Sequence, residues 1–193
     1  MAANNKVKYG LKNVYYAKAT IAADGSATYT TPVAWRGAVS LSLDAEGETV
    51  RFRADNMDYW TGASNNGYTG DFESALIPDS FRTDILGEVT DSNGVSIEAA
   101  DISGSPFALL FQFEGDANNI RHVLYNCTAS RPSVAGQTTE DTIEPQTETL
   151  TITASQINVP AISHTVVKGR CTADNTATYN AWFESVYVPT SLT

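Results

Sequence analysis

Short runs in which every second residue is apolar constrain this 193-residue chain more than any other feature of it. Residues 38–44 (AVSLSLD) and 48–54 (ETVRFRA) both show the alternation. A period of two places all apolar side chains on one face of an extended strand, so both runs predict half-buried strands. Because residues 45–47 have turn composition, we predict that residues 38–54 form one β-hairpin.

Two more hairpins are predicted further along the chain. In residues 88–99, Asn93-Gly94 is the strongest two-residue turn signal of the sequence. Residues 106–113 and 120–127 form another pair of strand-like runs across a short loop. The run 106–113 is apolar on both faces, which is typical of a strand in the middle of a packed sheet.

The remaining strand-like runs complete an all-β fold of at least eight strands. They are residues 148–155, 163–169 and 178–188. Abundant Thr, Val and aromatic residues favour strands in the same way. We find no internal repeat and no linker, so we predict one domain over residues 1–193.

One stretch is predicted to be helical. After Pro78, Asp79 is placed to cap a short helix, and Gly87 is placed to end it. Phe81, Ile85 and Leu86 would lie on its buried side.

Three polar segments are predicted to lie outside the strands. They are an N-terminal arm (residues 1–12) and two long loops, residues 55–67 and 129–147. Loops of this length in a compact domain usually have a function, and in a self-assembling protein they are natural contact arms.

The charge of the chain argues against tight binding of nucleic acid. The formal net charge is −10, and residues 54–101 carry ten acidic residues and a single basic one, Arg82. Proteins that hold DNA tightly do so by neutralising phosphates with Lys and Arg, so we expect no tight DNA binding.

The sequence gives no sign of secretion or of membrane insertion. The N-terminus has no apolar stretch of signal-peptide length, and no run of 18 apolar residues occurs. We therefore expect synthesis in a cytoplasm and no membrane partner. Cys127 and Cys171 are then expected to be buried free thiols, with a disulfide between them as the alternative.

Little in the sequence indicates catalysis. No nucleophile elbow, P-loop or dinucleotide fingerprint occurs. His122 and His164 lie in predicted strands without a second metal ligand nearby in sequence. Asp91 opens a stretch similar to a calcium loop, but a tight hairpin turn explains that stretch better. Asp71 and Glu73 share one face of a predicted strand, yet an acidic chain offers many such pairs by chance. We expect no enzyme activity, no cofactor and no metal.

Eight blocks of sequence together resemble the major tail proteins of long-tailed, non-contractile bacteriophages. No block is specific alone, but the set covers most of the chain in the family's order. The blocks are GLKNVYYA (10–17), AVSLSLDAEGE (38–48), ADNMDYW (54–60), NNGYTGDFESALIPDSF (65–81), DILG (84–87), FALLFQFEGDA (107–117), VLYNC (123–127) and IEPQTETLTITA (143–154).

This resemblance implies a tail-tube-type β-sandwich with one short flanking helix and with N-terminal, loop and C-terminal arms. It also implies hexameric rings that stack into the hollow tail tube of the virion, through which DNA is ejected. The expected partners are other copies of the chain, tail-tip and tail-terminator proteins, and the tape measure protein and transiting DNA in the lumen.

Two sets of site residues follow from that expectation. Asp71 and Glu73 are candidates to face the lumen, because a conduit for DNA needs a surface that repels a polyanion. Arg51 and Arg53 are further candidates to face the lumen, since they share the polar face of a neighbouring predicted hairpin; the alternative is that they pair with those acids. The candidates for contacts between rings lie in the N-terminal arm and the first long loop: Lys6, Lys8, Met57, Tyr59 and Trp60.

Two other functions remain open from the sequence. One is the inner tube of a contractile tail or of a phage-derived bacteriocin. The other is a glycan-binding β-sandwich on a virion surface, in which Trp35, Trp60 and Trp182 would stack on sugars.

Overall fold

A computed structural model describes residues 7–116, 118–138 and 145–192. Helices are few among them: α1 (Asp79–Phe81), which continues in a π-helical turn (Arg82–Leu86), a 3₁₀ turn (Pro160–Ile162) and α2 (Thr176–Ala181). The strands are β1 (Leu11–Ile21), β2 (Ala27–Tyr29), β3 (Val33–Trp35), β4 (Ala38–Glu46), β5 (Thr49–Ala54), β6 (Met57–Ala63), β7 (Gly67–Ser74), β8 (Val89–Thr90), β9 (Ser96–Ile97), β10 (Phe107–Phe113), β11 (Arg121–Ala129), β12 (Glu148–Ser155), β13 (Ile157–Val159), β14 (His164–Val166) and β15 (Lys168–Cys171).

The main sheet confirms the predicted all-β fold. Its strands follow the order β2-β1-β10-β11-β12-β7-β4, with β3 beside β1 and β15 beside β11, and the pairs are antiparallel. The sheet curls until β4 approaches β1. Three small two-stranded sheets accompany it: β5–β6, β8–β9 and β13–β14.

Two apolar clusters lie on opposite faces of the sheet. The inner core fills the curl and includes Phe72, Phe81 and Leu109, all fully buried. The outer core covers the other face of β1, β10 and β11 and includes Leu110 and Tyr125. Consecutive residues of β10 therefore alternate between the two cores, which confirms its prediction as a central strand apolar on both faces.

The predicted helix after Pro78 is present as α1 and its π-helical continuation. Phe81, Ile85 and Leu86 are buried, and Gly87 ends the segment in the left-handed region at φ 81°. The predicted cap is wrong, because Pro78 holds the N-cap position and Asp79 lies inside the helix without a capping bond. A helix can begin there because proline's fixed φ suits a helix start.

The predicted hairpin of residues 38–54 and the predicted loop of residues 55–67 are both wrong. Strand β4 pairs with β7 in the main sheet, and β5 pairs with β6 in a separate ladder that continues outward from that pair. Asp55 and Asn56 link β5 to β6 with φ of 51° and 61°. A two-residue turn with both φ positive matches the twist of a hairpin, and Asp and Asn tolerate that conformation.

The other two hairpins are confirmed, one with a different turn. Strands β10 and β11 pair as predicted. Strands β8 and β9 also pair, but the Asp91 N–H donates to the Val95 carbonyl and encloses three residues. Gly94 adopts φ 82° within that turn. The Asp91 carboxylate accepts the N–H groups of Asn93 and Val95, so its oxygens hold the turn.

The C-terminal part of the chain departs most from the prediction. Residues 163–169 form two strands rather than one, and residues 178–188 contain most of α2 and no strand. Tyr179, Trp182 and Phe183 follow helical spacing and pack against the outer core. A second helix is thus present, and this segment covers the sheet instead of forming the expected arm.

The N-terminal arm and the second long loop agree with the prediction in part. Strand β1 begins at Leu11, inside the expected N-terminal arm of residues 1–12. Residues 130–138 and 145–147 of the second long loop form no helix or strand, and residues 139–144 lie outside the described residues. Among the described residues, no helix is long and apolar enough to cross a membrane.

Candidate functional site

A projecting β-hairpin, residues 47–66, is exposed along almost its whole length, and we call it the arm. It continues the β4–β7 ladder beyond its last pair, Glu46 with Gly67, and ends at the Asp55-Asn56 turn. At about 3.3 Å per residue, a strand from Glu46 to Ala54 extends roughly 25 Å. The arm thus reaches well beyond the main sheet.

One side of the arm is apolar, and no residue that the structure describes covers it. Phe52 and Trp60 are paired across the ladder and are exposed by 59% and 57%. Val50 lies on the same side, opposite Gly62. A Cβ atom on Gly62 would come within 2.2 Å of the Trp60 ring, so glycine lets that ring lie flat over the strand. Exposed apolar groups collected on one surface mark an interaction site.

The other side of the arm carries a charge cluster. Asp58 lies 3.1 Å from Arg53 Nε and 3.7 Å from Arg51 Nη1. The alternative pairing of these arginines with Asp71 and Glu73 is therefore wrong. The reason is the topology, because β5 leaves the main sheet and pairs with β6.

The sheet offers a second candidate surface, which we call the polar face: the outward side of β4, β7 and β12. Neighbouring strands place Ser42, Asp71 and Thr151 in one row. The outer core does not extend over this part of the sheet. Val39 is 49% exposed at the irregularity between Ala38 and Ser40. The other outward side chains of the paired rows in these three fully described strands are hydroxyls and carboxylates, and none is Lys or Arg: Ser40, Ser42, Asp44, Thr69, Asp71, Glu73, Thr149, Thr151 and Thr153.

Asp71 and Glu73 lie together on the polar face, as predicted. The Thr151 hydroxyl donates to Asp71 at 2.9 Å. Glu73 accepts hydrogen bonds from Thr147 at 2.6 Å and from Ser40 at 3.0 Å. These donors stabilise the charged form, and the pKa of Glu73 is lowered from its ordinary value by Thr147 first and then by Ser40. Glu73 is thus held as a carboxylate at neutral pH.

A third surface is a groove at the open end of the inner core, beside the base of the arm. Its volume is about 160 Å³. It lies at that end because Leu43 and Tyr68 are close to the Glu46–Gly67 pair where the arm begins. The groove is lined by Lys8, Leu41, Leu43, Tyr68, Phe111, Phe113, His122, Leu124 and Lys168.

Two lysines stand over aromatic rings at the rim of the groove. Lys8 Nζ lies 4.6 Å from the centre of the Phe113 ring, and Lys168 Nζ lies 4.5 Å from that of Tyr68. His122 stacks on Phe111. Burial lowers the pKa of His122 to about 4, with the nearby lysines adding to the effect, so this ring is neutral at pH 7.

The structure separates the residues predicted to contact a neighbouring ring. Met57, Tyr59 and Trp60 all lie on the arm and are exposed. Lys8 lies at the groove instead. Lys6 lies outside the described residues.

The three tryptophans do not form a sugar-binding platform. Trp35 is buried in the inner core and donates to Ser74 at 2.9 Å. Trp182 is buried in the outer core and donates to the His122 carbonyl at 3.3 Å. Trp60 alone of the three is exposed.

The remaining candidates for chemistry are two buried thiols and one exposed histidine. Cys127 and Cys171 are free and buried, as predicted. His164 lies exposed in β14. Over residues 7–116, 118–138 and 145–192, no group of three His, Cys, Asp or Glu side chains is arranged to hold a metal ion.

Sequence reasoning missed one important residue, Arg121. Its guanidinium lies 3.7 Å from the Tyr179 ring centre and 4.6 Å from that of Phe183, and it donates to the Tyr179 carbonyl. It thereby fixes α2 to the start of β11. A single Arg at the start of a strand gives no sequence signal for this role.

Among known proteins, a solved structure of a tube cap is similar to this chain. No protein-family model matches the chain, and no curated protein matches it. A solved structure similar to this chain is the anti-feeding prophage cap (AFP tube terminating cap), determined by cryo-electron microscopy. The TM-score is 0.42 at 11% identity, with 90% of this chain and 100% of the other covered. A TM-score of this size does not establish a common fold.

Proposed function

We propose that this chain is a structural virion protein, the major tail protein of a long non-contractile phage tail. Copies form hexameric rings that stack into the tail tube. The proposal combines the sequence resemblance to that family with three surfaces of the molecule: the arm, the polar face and the edges of the main sheet. The proposed partners are further copies of the chain, with tip and terminator proteins at the tube ends.

The arm is the observation that carries the proposal. A two-stranded hairpin is at best marginally stable in water unless its apolar face is covered. The apolar side of the arm, with Phe52 and Trp60, has no cover from the described residues of its own chain. A second copy of the chain would supply that cover, and the arm is long enough to reach it.

The edges of the main sheet suit closure into a ring. Strand β4 lies at one end of the strand order and β2 at the other. An edge strand presents unpaired backbone groups that favour pairing with another chain. Contacts between two different edges repeat from copy to copy, and they close into a ring when the rotation per copy permits.

The polar face is the proposed lumen wall. DNA carries one negative charge per roughly 1.7 Å of its axis, and a basic wall would bind it through released counterions. Asp44, Asp71 and Glu73 give this face the opposite sign. Arg51 and Arg53 lie on the arm with Asp58 and are left out of the lumen assignment.

The experiment is negative-stain microscopy of the purified chain at high concentration, alone and with a tail-tip complex as initiator. We expect hollow cylinders with six copies per ring. The double variant Phe52→Ser and Trp60→Ser should stay monomeric with a native circular dichroism spectrum. Its matched control is Val95→Ser, which removes an exposed apolar side chain outside both the arm and the second long loop and should assemble normally.

Two results would contradict the proposal. One is a wild-type chain that stays monomeric under every assembly condition, including with the initiator. The other is a closed oligomer of different symmetry that encloses no channel.

A further inference from the structure

We propose that Asn93 is a site of spontaneous deamidation and that the fold protects the other Asn-Gly pair of the chain, Asn66-Gly67. Asn-Gly occurs at these two positions of the sequence. The reaction needs water as its only co-reactant. It takes place on a single folded chain, so it goes beyond the proposed function and does not depend on assembly. The two pairs share one chemistry, and their surroundings in the fold decide which of them reacts.

The reaction converts the Asn93 side chain into a carboxylate through a cyclic imide. The Gly94 amide loses its proton to solvent, and its nitrogen attacks Asn93 Cγ. The bond from Cγ to Nδ2 breaks, and Nδ2 takes up a proton from solvent and leaves as ammonia. Water then opens the imide at either carbonyl, which gives aspartate or isoaspartate. Asparagine is one of the thermolabile residues, and glycine favours the attack because it has no Cβ to shield the nitrogen.

The turn between β8 and β9 places Asn93 and Gly94 in solvent. Residues 92–97 are all exposed. A Cβ atom built on Gly94 would meet no described atom within 4 Å other than those of its chain neighbours. Gly94 holds φ 82°, which glycine adopts without strain. Solvent therefore has free access to both groups that react.

The bonds that close this turn are few. They are two ladder pairs, the bond from the Ser96 hydroxyl to Glu88, and the bonds made by Asp91. The Asp91 carboxylate accepts the Asn93 N–H at 2.8 Å and Asn93 Nδ2 at 3.2 Å, and its carbonyl accepts the Gly94 N–H at 3.1 Å. A two-stranded hairpin in water is marginally stable, so its opening costs little free energy. Once it opens, the Gly94 nitrogen is free to reach Asn93 Cγ.

Asn66-Gly67 lies where β7 begins, and both neighbouring strands, β4 and β12, pack against it. The Asn66 N–H donates to the Glu46 carbonyl at 2.8 Å, and the Gly67 N–H donates to Asn65 Oδ1 at 3.2 Å. Gly67 is buried, and a Cβ atom on it would come within 1.9 Å of the Ala154 carbonyl oxygen. The attack on Asn66 Cγ therefore requires β7 to separate from the main sheet. That opening costs much more free energy than the opening of an exposed hairpin.

Deamidation changes the turn itself. The Nδ2 group that donates to Asp91 becomes an oxygen, so the product places two carboxylates side by side, and their like charges repel. Isoaspartate also lengthens the backbone between Asn93 and Gly94. Both changes loosen the hairpin, whereas the main sheet keeps its structure because β8 and β9 form a separate sheet.

Peptide mapping by mass spectrometry of the aged chain tests the proposal. The dilute chain is incubated at mildly alkaline pH in two states: folded, and unfolded in guanidinium chloride, where both Asn-Gly pairs are free. The unfolded state gives the reference rate for each pair, so differences in the flanking residues cancel. Circular dichroism checks that the folded sample stays folded throughout.

We expect folding to slow the conversion of Asn93 by less than about tenfold and that of Asn66 by more than about a hundredfold. The aged folded chain should also give a more acidic form on ion exchange, and Asn93→Gln should remove that form. Equal protection of the two pairs would overturn the proposal, because the hairpin would then be closed as firmly as the sheet. Conversion of Asn66 at its unfolded rate would overturn it too, since the fold would then give no protection. Neither result depends on whether the chain forms tubes.

Discussion

The arm and the body of the molecule are built from the same alternating pattern, and they use it in opposite ways. In β7, Phe72 is fully buried while Asp71 and Glu73 face outward. In β5, the equivalent alternation leaves Phe52 more than half exposed. The difference comes from what lies behind each strand, which is a filled curl for β7 and solvent for β5. An alternating strand thus indicates that its apolar side is to be buried. The residues that bury it can belong to the same chain or to another chain.

The largest expected effect is a loss of stability, and it should differ between two phenylalanines that are each replaced by alanine. Phe81→Ala should lower the free energy of unfolding by about 3–5 kcal/mol, because its fully buried ring contacts those of Tyr16, Trp35 and Phe107. Phe52→Ala should change monomer stability by less than about 0.5 kcal/mol. Urea unfolding of both variants measures the difference, and similar losses would mean that the arm belongs to the core.

A smaller effect is expected where the C-terminal segment joins the body. Arg121→Ala removes the group that stacks on Tyr179 and Phe183, at an expected cost of about 2 kcal/mol. Limited proteolysis should then release the C-terminal segment faster than in the wild type. Arg170→Ala is the control, since Arg170 is exposed on the adjacent strand. Equal protease resistance in the two variants would show that α2 is held without Arg121.

The groove should make the body sensitive to acid. Because the folded pKa of His122 is about 4 and the ordinary value is about 6.5, the unfolded chain binds its proton first as pH falls. This contribution destabilises the fold progressively from pH 6.5 down to 4. Burial lowers the pKa of His122 most, Lys168, Lys8 and Arg170 lower it further, and Asp116 opposes them.

Two histidine variants separate the contribution of His122 to the acid sensitivity of the fold from the contribution of the carboxylates. His122→Phe keeps the ring stacking and should flatten the fall of the urea midpoint between pH 6.5 and 4. His164→Phe, at an exposed position, should leave the wild-type slope. If both variants keep that slope, His122 does not set the acid sensitivity.

The smallest expected effect concerns the polar face. The pKa of Glu73 is lowered, so its bonds to Thr147 and Ser40 stabilise the fold above the ordinary carboxyl pKa and are lost as pH falls through the lowered value. Thr147→Val should move the carboxyl titration of Glu73, followed by NMR, back towards the ordinary pKa. Thr153→Val, on the same face but bonded to Thr69, is the control. An unchanged titration in Thr147→Val would mean that this donor does not fix the acid.

The sequence predicts single strands and helices correctly where their pattern is local. It does not predict which strands pair with each other. The strands β10, β11 and β12 and the helix ending at Gly87 follow from periodicity and turn chemistry. The pairing of β4 with β7 does not, because residues 45–47 have turn composition and a shorter hairpin is equally consistent with the pattern. The Asp55-Asn56 turn was the available signal for the arm.

In the candidate site, too, local features follow from the sequence and features that depend on the curl of the sheet do not. The shared face of Asp71 and Glu73 follows from their spacing in one strand. The groove does not, since its lining comes from five strands and the N-terminal segment, brought together only by the curl of the sheet. The helix α2 was missed because Tyr179, Trp182 and Phe183 lie within a run that alternation also describes.

The most direct test of the account is hydrogen exchange of the arm before and after assembly. In the monomer, the amides of β5 and β6 should exchange quickly, because their ladder is exposed on both sides. In assembled tubes they should become strongly protected, while the amides of β10 exchange slowly in both states. Exchange of the arm that is equally fast in monomer and tube would contradict the claim that a second copy covers it.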